Sequence, residues 1–224
     1  MSKNIYGSYV EESSEDEQVN SAVNSTENEE VYYSDDLEKK HIYKEIEFAV
    51  DIEDSIVYVV GEIEDFALYD FMLRCRAILR NREEEDITPI NVIIDSIGGD
   101  VYEMFGIIDY IESLDKNSNI KVNTICRGKA FSAAAMILAS GTGKRLASKR
   151  STVMIHEGSS MLAGKTSDLK AAHKYNAHLE DMANAILGEK TIKDKKFWSE
   201  QTKTDLYLSA KDAQKLGVID GIIH

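Results

Sequence analysis

Residues Ile90–Gly99 read I-N-V-I-I-D-S-I-G-G, and this stretch decides the fold class. Ile90–Asp95 is short and apolar, begins just after Pro89, the only proline in the chain, and ends at a glycine pair. That pattern predicts a strand in the interior of a covered sheet. Gly98 and Gly99 permit backbone conformations closed to other residues and let another backbone or a ligand come close. A tight strand-to-helix connection explains one of them, less readily both. Val101–Leu114 then has helical character, Ile120–Cys126 reads as a second strand, and Gly128–Gly141 (G-K-A-F-S-A-A-A-M-I-L-A-S-G) runs from a small-residue turn into an apolar helix. Strand and helix alternating in this way indicate parallel crossover units of an α/β protein. In such sheets sites gather at the carboxyl ends of strands, where both the glycine pair and Ser132 fall.

Ser132 has two readings from this stretch. It is a good residue to cap the next helix. It is also a hydroxyl at a helix N-terminus, where unpaired N–H groups favour a developing anion. Downstream, Thr152–His156 (T-V-M-I-H) predicts a strand with a histidine at its end, which has two readings: an ordinary structural histidine or, from its strand-end position in this fold class, a residue lining the same cleft as Ser132. A long helix from Ser167 to about Leu187 has Ser167–Asp168 as its cap and Leu169, Ala172, Tyr175, Leu179, Met182 and Ile186 as its apolar stripe. His173 and His178, five apart, do not share a helical face and make no metal pair. A charged helix with Trp198, an apolar segment after Asp205, a helix from Ala210 to Leu216 and a short terminal strand complete the chain. Asp205 taken alone reads as a cap or turn residue.

Upstream, Phe66–Asn81 has the spacing of an amphipathic helix, and strands are predicted from Ile42 to Val50 and from Ser55 to a stop at Gly61. Before them residues 1–40 carry 11 acidic and 3 basic side chains with almost no apolar periodicity, which predicts a disordered or loosely held arm over 1–41 and a folded domain over 42–224. The whole chain of 224 residues has a net charge of −14, which argues against non-specific binding to nucleic acid or an anionic membrane. Cys75 and Cys126 lie in apolar stretches and are read as buried thiols of a reducing compartment. No leader or membrane-spanning run is apparent, so a soluble, cytoplasmic protein is expected.

Seven segments in order, V-G-E-I-E-D (60–65), I-I-D-S-I-G-G (93–99), G-K-A-F-S-A-A-A (128–135), G-K-R (143–145), V-M-I-H (153–156), T-S-D (166–168) and T-D-L-Y-L-S-A-K-D-A (204–213), resemble the proteolytic subunit of the Clp protease, the ClpP family. The resemblance implies a ClpP/crotonase-like α/β fold of repeated β-β-α crossover units with a protruding handle helix. It also implies a serine endopeptidase with Ser132 as nucleophile, His156 as general base, Asp205 as third triad member, and the amides of Gly99 and Ala133 as oxyanion hole. No metal or organic cofactor is implied in this chain, and ATP would be used by a partner AAA+ unfoldase. The implied partners are a peptide or unfolded polypeptide and further copies of the chain, in a ring of seven, stacked as fourteen. A dedicated processing protease of the kind that matures viral capsids, or a catalytically silent ring subunit, are the competing readings. The sequence departs from the family pattern at Ile97, where a proline is usual, at Glu157-Gly158 in place of Gln-Pro, at Thr204 in place of arginine, and over the acidic arm.

Overall fold

The structure, a computed structural model, describes residues 48–83, 85–161 and 163–224. The predicted acidic arm and most of the strand predicted from Ile42 lie outside them. The elements are β1 (Val50–Asp51), β2 (Ile56–Ile63), α1 (Ala67–Arg80), β3 (Ile90–Gly99), α2 (Val101–Ser118), β4 (Val122–Phe131), α3 (Ala133–Ala139) and β5 (Arg145–Ser148). They continue with β6 (Thr152–Ile155), α4 (Thr166–Lys190), α5 (Lys195–Gln201), β7 (Leu206–Ser209), α6 (Ala210–Lys215) and β8 (Gly221–Ile223).

The parallel strands β2, β3, β4, β5 and β8 form the body of the sheet in that order, with β1 antiparallel on the β2 edge. Along β3 the side chains of Ile90, Val92, Ile94 and Ser96 are sealed, while Asn91, Ile93 and Asp95 are half-buried. The expected covered interior therefore holds fully for one face of this strand. On the other face, polar groups pair across strands: Asn123 Nδ2 donates to Asn91 Oδ1 at 2.9 Å, and Lys129 Nζ reaches Asp95 Oδ1 at 2.9 Å. That ammonium holds the Asp95 carboxyl below the usual carboxylate range.

The sheet branches at β4, and the branch makes the site. Its first half, Thr124–Cys126, pairs with β5; its second half, Lys129–Phe131, pairs instead with β6, which pairs antiparallel with β7. Neither β5 (R-L-A-S) nor β7 (L-Y-L-S) is evident from the sequence, because neither carries a readable alternation or a wholly apolar run like V-M-I of β6. Another strand runs further than expected. β2 continues through Gly61, which takes φ +84° at a β-bulge, a conformation open to glycine, so the residue bends the strand and does not end it.

Two predictions about α4 are corrected. It begins at Thr166 after Lys165, and neither Ser167 nor Asp168 caps it; Ser167 Oγ instead donates to Asp168 Oδ1 at 3.3 Å. Of the predicted stripe only Leu179 is buried, joined by Leu187, while Tyr175 and Met182 face outward. The helix is anchored through its second half. Arg145, the last residue of the G-K-R segment, donates to the carbonyls of Lys190 at 2.6 Å and Ala139 at 3.3 Å and pairs with Asp220, tying the ends of α3 and α4 to the C-terminal turn. Trp198 is fully buried, and its indole N–H donates to Thr191 Oγ1 at 2.7 Å.

Candidate active site

Ser132 stands between the last residue of β4 and the first of α3, at φ 54° and ψ −122°, a conformation L-residues rarely adopt. Backbone bonds on both sides hold it there. Its N–H donates to the Met154 carbonyl of β6 at 2.7 Å, and its own carbonyl accepts from Ala135 N at 2.9 Å and Met136 N at 3.2 Å, opening α3. The side chain makes no capping bond to that helix, which removes the cap reading. The hydroxyl instead lies 2.9 Å from His156 Nε2, so this strained strand-to-helix turn offers its Oγ to a base.

Strand register explains how His156 and Asp205 arrive. β4 and β6 run parallel with Phe131 opposite Met154, so His156 stands just past the level of Ser132. β6 and β7 run antiparallel with Ile155 opposite Leu206, so the residue after one strand meets the residue before the other. His156 Nδ1 is 3.2 Å from Asp205 Oδ1. The segment beyond His156 is pinned where Glu157 N donates to the Thr202 carbonyl at 2.7 Å. The imidazole is largely shielded, whereas the Asp205 side chain is 53% exposed in the single chain.

The glycine pair has two distinct steric reasons. Gly98 takes φ +89°, and a Cβ there would stand 2.5 Å from the Phe131 carbonyl oxygen, 2.8 Å from Ser132 Cβ and 3.0 Å from Ala133 N. Gly99 takes φ +151°, and a Cβ there would collide with the carbonyl of Ile63 at the end of β2. Gly98 is thus the residue packed against the serine turn, a role the sequence alone did not assign to it. Its amide donates to the Oγ of buried Ser96 at 3.1 Å. Gly99 and Ala133 line one cleft of about 300 Å³ together with Ser132 and His156.

Val101, Met104, Met136, Ile155, Leu179 and Leu187 are among the apolar residues of that cleft, and Asn176 and Glu180 reach it from α4. None of these was singled out as a site residue in the sequence. The signal that could have found the α4 pair is spacing, since 176, 179, 180, 183 and 187 share one helical face. His173 and His178 are exposed on α4, and among the described residues no group of acidic, histidine and cysteine side chains is placed to hold a metal. Burial pushes the thiols of Cys75 and Cys126 up to about 12 and about 11, so neither offers a thiolate nucleophile. Both are free and buried, as expected. Among the described residues no helix is long and apolar enough to cross a membrane.

A hydroxyl, an imidazole and a carboxylate in one hydrogen-bonded row, the first two just past the ends of β4 and β6 and the third just before β7, is the arrangement of a serine hydrolase. The family model described as Clp protease matches residues 39–224. Similar proteins include ATP-dependent Clp protease proteolytic subunit 1 of Prochlorococcus marinus (strain MIT 9312), 33% identical over 141 residues that make up 62% of this chain and 70% of the relative. Proteolytic subunits 3 and 2 of Frankia casuarinae are each 29% identical over 173 residues, 77% of this chain and 78% and 76% of the respective relatives. The chain belongs to the Clp protease family, and family and fold together make it a serine peptidase.

Proposed function

We propose that the chain cleaves peptide bonds with Ser132 as nucleophile, His156 as general base and then general acid, and Asp205 holding the imidazole in the productive tautomer. The observation that carries this reading is the unbroken row Ser132 Oγ, His156 Nε2, His156 Nδ1, Asp205 Oδ1, with links of 2.9 and 3.2 Å. A substrate carbonyl enters beside Ser132, and Oγ attacks as its proton passes to Nε2. The tetrahedral anion is held by the amides of Gly99 and Ala133, whose residues flank Ser132 in the cleft. Collapse expels the amine with the proton from His156, and water repeats the sequence on the acyl-enzyme. The reaction draws on no metal or organic cofactor in this chain.

Family membership carries self-association and a Clp ATPase partner in general terms. The finer reading is a seven-membered ring, stacked as fourteen, that receives unfolded polypeptide from an AAA+ unfoldase in the cytoplasm, with residues 1–41 as an acidic arm and 42–224 as the peptidase domain. Ser132→Ala tests the chemistry: cleavage of a fluorogenic peptide falls by about 10⁶ in kcat, and labelling by a serine-reactive phosphonate is lost. Retained cleavage or labelling in that variant refutes Ser132 as nucleophile. Absence of both in the unaltered protein marks a silent ring subunit.

A further inference from the structure

Past His156 the chain leaves the sheet. Glu157 N donates to the Thr202 carbonyl, and from Gly158 to Gly164 no further backbone hydrogen bond is made among the described residues. Gly158 opens this stretch and Gly164 closes it, and a Cβ at either would meet nothing within 4 Å. Met161, between them, is 99% exposed. Such a stretch has neither packing nor a strand ladder to fix its course. Yet Gly158, Ser159 and Ser160 line the cleft beside Ser132, which they share with Gly99 and Ala133. They also line a second cavity of about 600 Å³ on the Asp205 side of the imidazole.

One side chain ties the stretch down. Half-buried Asn176 of α4 donates through Nδ2 to Ser160 Oγ at 2.8 Å, and among the described residues this is the one hydrogen bond from 158–164 to another element. Asn176 lines the same two spaces and lies one helical turn ahead of Leu179, which is buried. The bond therefore runs from the packed face of α4 to the wall of the cleft, a few residues beyond the base. Ser160 is exposed, so water replaces the bond at little cost and global stability gains little from it. Its effect falls on order. Without it a segment with a glycine at each end samples many courses, and substrate binds only the fraction that presents a formed wall. Resting on the proposed peptidase activity, we infer that Asn176 is a positioning residue: through Ser160 it holds 158–160 as a fixed wall of the substrate cleft, so that the segment is ordered before substrate arrives.

The test uses the full chain and a fluorogenic peptide that extends on both sides of the scissile bond. Asn176→Ala and Ser160→Ala each raise KM about fivefold, the size of one net hydrogen bond, with kcat held within about twofold. Together they raise it no further, because either change alone breaks the bond. Ser160→Thr keeps the hydroxyl and keeps KM. Gly158→Ala, added to Asn176→Ala, lowers KM again by about twofold, since a methyl has room there and narrows the freedom of the segment. Neither a direct contact of Asn176 with substrate nor a role in folding alone gives that recovery, and KM does not depend on the amount of folded enzyme. A KM unmoved by the two single variants, effects that multiply in the double variant, a loss confined to kcat, or no recovery with Gly158→Ala overturns the inference and leaves the peptidase activity standing. Absence of both peptide cleavage and phosphonate labelling of Ser132 in the unaltered chain takes down the peptidase activity and the positioning role with it.

Discussion

Helices α3 and α4 wall the same cleft and are built on opposite terms. All seven residues of α3, A-A-A-M-I-L-A, are buried, and none is charged. Of the 25 residues of α4 only Leu179 and Leu187 are buried. The alanines of α3 let its backbone come close to β3 and β4, and interiors packed to that density leave little room for displacement. α4 depends on a few contacts in its second half and presents Tyr175 and Met182 outward. In the proposed reaction the difference separates two tasks: the Ser132 hydroxyl is carried by the element that packing fixes, while cleft-lining side chains come partly from an element held at one end. Arg145 joins the two by donating to the last turns of both.

The comparison breaks first at Gly98, where substitution tests whether packing holds the serine turn. Gly98→Ala places a methyl against the Phe131 carbonyl and Ser132 Cβ at a positive φ. A displaced nucleophile costs about 10²-fold in kcat, and the strain about 2–3 kcal/mol of stability. Peptide cleavage and urea unfolding measure the two, and a variant that keeps full kcat would show that Ser132 is positioned by something other than that contact. Arg145→Ala comes next, with an expected loss of about 2–3 kcal/mol in urea unfolding, since three acceptors lose a largely buried guanidinium.

Acid sensitivity sharpens the same point. Burial pushes the Asp220 carboxyl up, but the hydrogen bonds and charge of Arg145 outweigh it and leave the group below its ordinary value. A carboxylate depressed in the folded state contributes stability above its unfolded pKa of about 4, and that contribution is lost as pH falls through the lower folded value. Unfolding curves of Arg145→Ala should therefore lack that part of the acid dependence. The smallest effect is expected on α4, where Met182→Gln changes unfolding free energy by no more than about 0.5 kcal/mol if that face is open. A loss well above that would show the face to be covered, as in an assembled ring.

Much of this was legible in the residues, and the failures have physical causes. Strand and helix alternation around Ile90–Gly99 and Gly128–Gly141 is local, carried by apolar periodicity and small residues, so the crossover class and the strand-end position of Ser132 follow from it. β5 and β7 escaped because R-L-A-S and L-Y-L-S lack the wholly apolar run that marks β6, and their pairing rests on partners distant in sequence. The apolar stripe of α4 was overextended because periodicity marks a face that something could cover without saying what does. A serine ahead of a helix reads as a cap on local grounds, and only its φ of 54° turns the hydroxyl away from that helix.

By itself, then, the sequence determined the α/β class, the turn at Ser132 and the presence of a histidine at a strand end, because each depends on neighbours a few positions apart. Asp205 was different. Chain chemistry made it one acidic residue among 40 in the chain, and only the resemblance to a family singled it out. The branch at β4 decided the rest. Parallel pairing of β4 with β6 and antiparallel pairing of β6 with β7 bring residues 132, 156 and 205 to one edge through hydrogen bonds between segments 24 and 49 residues apart. That is register, a property of paired strands that no single strand carries.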